Sequence, residues 1–416
     1  MTIRTALRRT AAAAAAAALA TGALLAAPAA AAPAPTPAPA SATPPITVLA
    51  TGMPDKPFSD PTAVNNADVV VGYAWADGQS NQTSAIRWNP DHQPTTLPPL
   101  PGEDYARALG VNDAGTAIGT SWPAPRAYST ATAVRWAADG TPTALPPLPG
   151  DTHSNPTAIG GSGIVVGAST DATGKSHAVA WHPDGTTVAL APLPGDDNAV
   201  PYDVNSTGVA VGQSYTWTGL RHGTVWNPDG TATAFVTDPA AAASSADRIN
   251  DAGAMAGRVS LPEPGIGSVW HGLLRSADGT PHDLGPRTYP GAINSSGATV
   301  GDHQPDPDLP RTYAARWSPD GTLTRLELDR PTVGRTTAAD INDSGTVAGY
   351  AWDGIPSRQY QSGKVWAPDN TVTDLDPADT TNSARFVNNT GLVVGVRMLR
   401  PPGSLYPYRQ AAVWRP

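Results

Sequence analysis

Three histidines, His177, His222 and His271, stand at one equivalent place in three successive stretches of similar sequence, and adjacent acids occur at Glu103 with Asp104 and at Asp196 with Asp197. Imidazoles and carboxylates are the side chains of metal ligation and of general acid–base catalysis. Neither set has the spacing that such chemistry needs. Histidines recurring at one position of a repeat are held apart by the repeat, too far to share an ion through bonds of about 2.0 to 2.1 Å; they read as strand-start packing or hydrogen bonding. Neighbouring acids in a polar loop read as solvated, whereas glycoside hydrolysis needs two carboxyls about 5 to 9.5 Å apart across a cleft. Asn112, Asp113, Gly115 and their copies look like pieces of a calcium loop, yet no copy has the alternating ligands and terminal glutamate of one. The asparagine is read as bonding the turn backbone and tolerating positive φ. There is no nucleophile elbow, no phosphate-binding loop, no HExxH and no cysteine. The sequence therefore assigns no catalytic residue, no metal and no cofactor.

Aromatic rings offer a different chemistry. Trp75, Trp122 and Trp352 each stand three residues past a recurring glycine, Trp217 stands five past, and Tyr73, Tyr215 and Tyr350 are close by, with acids at Asp77, Asp171, Asp302 and Asp353. Ring faces beside polar groups are what a sugar or an aromatic ligand stacks upon. Trp75, Trp122, Trp217 and Trp352 are the candidate ligand-binding residues. The competing reading is that these rings cap the ends of the elements that carry them.

Those elements are set by a repeat. The stretch DINDSGTVAGY, Asp340 to Tyr350, has a β-branched residue, a tight polar turn and a short apolar strand ending on glycine. That is a hairpin pattern. The glycine recurs at Gly72, Gly119, Gly167, Gly212, Gly257, Gly301, Gly349 and Gly395, spaced 44 to 48 residues apart. Seven residues earlier stands asparagine in every unit except the third, which has Gly160. A second hairpin follows, its first strand ending on Trp88, Trp136, Trp181, Trp226, Trp317, Trp366 or Trp414, with Arg275 in that place in the fifth unit. PDG or ADG turns come next, then a proline-bearing segment, clearest as LPPLPG at Leu97 to Gly102, read as an edge strand. Four strands in about 47 residues is the size of one blade of a β-propeller. The last unit stops where its fourth strand should begin, while a spare segment of that type, Ile46 to Gly52, precedes the first unit. The prediction is an all-β closed propeller of eight four-stranded blades, the N-terminal strand completing the last. Seven blades is the alternative, the fifth unit being where one would be lost.

Residues 1–32 run from Arg4, Arg8 and Arg9 through an Ala/Leu stretch to small residues, the pattern of a secretory signal peptide. Residues 33–45 are a Pro/Ala-rich spacer, and residues 46–416 are a single repeat domain. The formal charge of −9 becomes −12 without the three leader arginines, which argues against nucleic acid as a partner. No later segment is apolar enough to span a membrane.

The repeat resembles the extracellular HAF-repeat family, named for a His-Ala-Phe motif before a tryptophan. KSHAVAW, Lys175 to Trp181, carries His177 and Ala178 in the motif positions, and His222 and His271 hold the equivalent place in the next two units. DLG at Asp283 to Gly285 and LPPLPG stand for the family's acidic-Leu-Gly segment. The resemblance implies secretion and propeller-like blades and brings no catalytic residues with it. The expected function is a secreted, monomeric binding or scaffold propeller, recognising an extracellular or cell-wall polysaccharide or a surface protein through its long-loop face. The alternative is an extracellular hydrolase or lyase using loop carboxylates.

Overall fold

Asn342 shows how the repeat folds. Its backbone N–H donates to Thr346 O at 3.0 Å, Gly345 N–H donates to Asn342 O, and the Asn342 side-chain oxygen accepts the Thr346 N–H at 2.9 Å. This closes a type I turn followed by a left-handed residue, a standard three-residue hairpin connection. The left-handed residue is Gly345, φ +85°, and Asp68, φ 60°, takes that role in the first unit. Positive φ therefore falls three residues after the asparagine and not on it; the asparagine's contribution is the side-chain bond.

The structure, a computed structural model, describes residues 44–76, 79–125, 131–306, 311–328, 335–355, 358–375, 381–399 and 408–416. The expected leader and nearly all of the spacer, and Asp77, lie outside them. The described residues form eight four-stranded antiparallel sheets, seven of them with their strands in chain order, and no helix. Blade 1 is Phe58–Val64, Val70–Trp75, Ser84–Trp88 and Pro94–Leu97. Blade 8 has Asn382–Val387, Val393–Leu399 and Tyr408–Trp414, and its fourth strand is Thr47–Val48, with Thr47 opposite Val413 and Val48 opposite Ala412. The N-terminal segment thus closes an eight-bladed β-propeller.

The recurring glycine is a packing requirement. The first strand of every blade carries a bulge two to four residues before its turn, between Ala338 and Asp340 in blade 7. There a Cβ on Gly349 would lie 2.1 Å from Thr337 O and 3.0 Å from the Trp366 ring. The tryptophans occupy the space so created and are fully buried, each worth about 4 to 6 kcal/mol of gross transfer energy. Several also tie one blade to the one before: Trp88 Nε1 donates to Ala50 O at 2.6 Å, Trp136 to Pro98 O at 2.7 Å and Trp366 to Glu327 O at 2.9 Å. The edge strands end at Leu97, Leu145 and Leu190, so the prolines of LPPLPG lie in the connector that follows. There their missing N–H costs nothing, and their carbonyls serve the tryptophans.

Blade 5 survives without its tryptophan. Phe235, from the end of blade 4, lies within 2.9 Å of where a Cβ on Gly257 would sit, the contact that a tryptophan ring makes in blades 3, 4 and 7. The substitution comes from a neighbouring unit, which is why the fifth unit alone looks deficient.

Candidate ligand-binding face

The residues that repeat are occupied by the architecture. Asparagine side chains link inner turns around the ring: Asn65 Nδ2 donates to Asn112 O, Asn294 to Asn342 O, Asn342 to Asn388 O, and Asn388 back to Asn65 O, at 2.8 to 3.1 Å. Gly160 departs from the pattern because a Cβ there would lie 2.8 Å from Asn205 O. Asp113 and Asp343 accept backbone N–H groups of the preceding blade, from Asn66 and Ser295. A polar cup of about 330 Å³ opens at this mouth of the ring, lined by these turns. Its acids are thus already partnered.

The three aligned histidines each have their own carboxylate. His177 pairs with Asp151 at 2.9 Å, His222 with Asp196 at 2.9 Å, and His271 with Asp283 at 3.0 Å. Ser169 and Ser214 donate to Asp151 and Asp196 at 2.6 Å. In these two groups the hydroxyl bonds the acid and not the imidazole, so neither His177 nor His222 is placed to deprotonate that serine. They pin the connector after LPG onto the next blade.

What fails to repeat gathers at the opposite mouth, where the inner strands begin. Five residues before the turn asparagine, blade 1 has Asp60 and blade 2 has Arg107, where blades 5 and 8 have Ser245 and Ser383. Asp60, its side chain 6% exposed, accepts Arg385 Nη1 and Arg409 Nη1, the latter at 3.0 Å; both arginines come from blade 8. Among the described residues each guanidinium uses one of its five N–H donors in this way, and the side chains are 27% and 46% exposed. Arg107 lies over the Tyr73 ring at 4.6 Å and near Trp122 at 5.9 Å. Burial pushes the Tyr73 hydroxyl up, the Asp60 charge adds to this, and the three arginines oppose it, so all five groups share one electrostatic neighbourhood. Half-buried rings flank them: Phe58 stacks on Tyr408 at 4.1 Å and 5°, Trp75 lies 6.1 Å from Phe58 and 5.5 Å from Tyr73.

The four predicted tryptophans fare differently. Trp75 belongs to this cluster, half-buried. Trp122 is 0% exposed, beneath Tyr105 at 6.2 Å, and presents no free ring face. Trp352 is half-buried, 6.2 Å from Tyr350. Trp217 is 72% exposed on the loop before Arg221, alone in space from the other three. Asp302, predicted as an interleaved acid, is paired with Arg335 at 3.2 Å. A second basic-aromatic group lies in blades 4 and 5: Asp247 with Arg258 at 3.1 Å, Arg258 near Trp270, Arg221 over Tyr215 at 4.7 Å. Tyr202 is pushed up to about 12 by burial and by the Asp247 charge. Sequence reading missed Phe58, Asp60, Arg107, Arg385, Tyr408 and Arg409. The available signal was the column five residues before the turn position, which is small and polar at Asn155, Ser245, Thr337 and Ser383 and carries opposite charges in the adjacent units at Asp60 and Arg107.

Two carboxyls remain among the inner strands. Asp203 accepts the backbone N–H of Val204 and Ile249, and Asp340 those of Ile341 and Val387, each bridging to the next blade. Burial raises both against those hydrogen bonds and the Arg248 charge, Asp340 to about 6.

No family model and no curated protein matches this sequence. Solved structures similar to it include a prolyl endopeptidase, with a TM-score of 0.52 at 10% identity over 85% of this chain and 54% of that one. The β-propeller domain of the trilobed protease from Pyrococcus furiosus gives 0.48 at 11% identity, covering 75% and 94%. A streptogramin B lyase gives 0.43 at 12%, covering 89% and 97%. At 10% identity the likeness to the prolyl endopeptidase speaks to fold alone. The chain is an eight-bladed β-propeller protein.

Proposed function

We propose that this protein is a secreted, HAF-repeat-like binding propeller that recognises an extracellular polysaccharide at the long-loop mouth of blades 8, 1 and 2. The observation that carries the reading is the contiguous group of half-buried rings, Phe58, Tyr73, Trp75 and Tyr408, set beside Arg385 and Arg409, each of which gives one N–H to Asp60 among the described residues. Sugars present apolar C–H faces and hydroxyl edges, and this arrangement offers a partner for each. The carboxylates nearest the ring centre act as struts between blades, which favours a binding surface over a hydrolytic one. Secretion rests on the leader pattern, and a monomer suits a ring that closes on itself.

The test is affinity electrophoresis or pull-down on insoluble cell-wall polysaccharides. Trp75→Ala should weaken retention about tenfold while the melting temperature stays within a few degrees, because the ring is only half-buried. Retention unchanged by Trp75→Ala and by Tyr408→Ala together would place the ligand elsewhere.

A further inference from the structure

The charge immediately around Asp60 is opposite in sign to that of the protein as a whole. Arg385 and Arg409 both pair with the one carboxylate of Asp60, leaving one positive charge between the three groups in a chain whose formal charge is −9. A neutral ligand gives no reason for this. A buried carboxylate holding two arginines by one nitrogen each fixes their orientation and leaves the remaining N–H edges for a second acceptor. Arg107 is fixed separately, by Ser80 O at 2.7 Å and by the Tyr73 ring. The two guanidiniums pre-aligned by Asp60 lose little entropy on binding, and their fork geometry matches a planar or tetrahedral oxyanion.

The geometry points to an anionic polysaccharide as the ligand, its acidic group bound between Arg385 and Arg409 over Asp60 while a neighbouring sugar stacks on Trp75 or Tyr408. This rests on the polysaccharide reading above and narrows it to chains bearing carboxylate or phosphodiester groups. Asp60 is a positioning residue; the two arginines touch the ligand. In blades 4 and 5 a related group holds one arginine, Arg258, on Asp247, with Arg221 over the Tyr215 ring and Tyr202 alongside.

The experiment measures binding of the whole protein to soluble polygalacturonate, to poly(glycerol phosphate) and to neutral dextran of similar length, at low and at high salt. Binding to either polyanion but not to dextran, weakening with salt as exposed charge pairs do, is the expected result; the tighter polyanion identifies the acid. Arg409→Gln should weaken polyanion binding about ten- to a hundredfold. Arg409→Lys should recover only part of that loss, because a point charge replaces a fork. Arg325→Gln, which removes the same charge at the outer edge of blade 6, should leave binding as it was. Binding to dextran as strong as to the polyanions overturns the anionic assignment and leaves the polysaccharide reading standing. Failure to bind any of the three overturns both. Equal losses from Arg409→Gln and Arg325→Gln would mean that bulk charge, not this site, attracts the polymer, and would also overturn it.

Discussion

Asp340 belongs to the stretch that repeats most regularly, yet only blade 4, with Asp203, carries an acid at the same place; blade 5 has Arg248 there and blade 8 Phe386. Its two oxygens accept Ile341 N–H and Val387 N–H, both at 2.9 Å, and burial still raises it to about 6 from 3.8. A raised carboxyl makes stability fall as pH rises. Below 3.8 both folded and unfolded chains hold the proton and nothing is lost; between 3.8 and about 6 the unfolded chain releases it while the folded one keeps it; above 6 both are ionised and the loss levels off. The change amounts to on the order of 2 to 3 kcal/mol, less whatever water at the ring centre screens. Urea unfolding of the wild type and of Asp340→Asn, run from about pH 4 to about pH 7, should show a difference in stability that shifts in favour of the variant as pH rises. A difference independent of pH would mean that the two backbone donors hold the group at its ordinary value. At this scale the sequence was only partly legible. The turn role of Asn342 could be read from its residue type, but the glycine seven residues on could not be explained without the bulge that brings Thr337 O to 2.1 Å from its missing Cβ. A bulge leaves no residue signature of its own when the strand around it is otherwise regular.

At the scale of elements, hairpins, blade count and closure were all legible, because eight imperfect copies average out local ambiguity. The closing strand was legible in position, but its anchor does not follow from alternation. Ile46 and Val48 look like the buried residues of that segment by alternation, yet both are half-buried, and Leu49, just past the strand, is the one at 1%. Leu49 packs with Val70, Ile86 and Trp88 of blade 1 and with Val413 of blade 8. The next residue, Ala50, supplies the carbonyl for Trp88. This strand therefore joins two blades through its last turn, a geometry that a two-residue alternation cannot express. A chain starting at Met53, compared with one starting at Ala42, loses the burial of Leu49, about 1.5 to 3 kcal/mol. It also leaves the Trp88 N–H without an acceptor, about 1 to 3 kcal/mol more. Together these are a large part of a typical total stability of about 5 to 15 kcal/mol. Thermal and urea unfolding should register the loss, and equal midpoints for the two chains would show that the closing strand contributes nothing.

At the scale of the whole molecule, closure creates the candidate site. Arg385 and Arg409 stand 325 and 349 positions from Asp60 in the chain, and only a ring of the right number of blades sets blade 8 against blade 1. The cluster was illegible for that reason: its members are ordinary charged residues until the ring brings them together, whereas tryptophans announce themselves by type wherever they fall. The same closure implies that the chain's break at this point is arbitrary. Thr47 faces Val413, so the register extends to Ile46 facing Trp414, as Ala232 faces Trp226 in blade 4 across the five residues Asn227, Pro228, Asp229, Gly230 and Thr231. Linking Pro416 to Ile46 through Asp-Gly-Thr, with Arg415 and Pro416 as the first two, restores that spacing and its left-handed glycine. New ends belong in the exposed turn between Gly265 and Ile266, the latter 62% exposed, where backbone breaks are best tolerated. This permutant should fold, bind as the natural chain does and melt at the same or a higher temperature, since the strand that closed the ring non-covalently is now held by a hairpin. Loss of the fold while a permutant opened at the same turn with a long flexible linker still folds would show that blade 8 and the N-terminal strand do not meet in the register described.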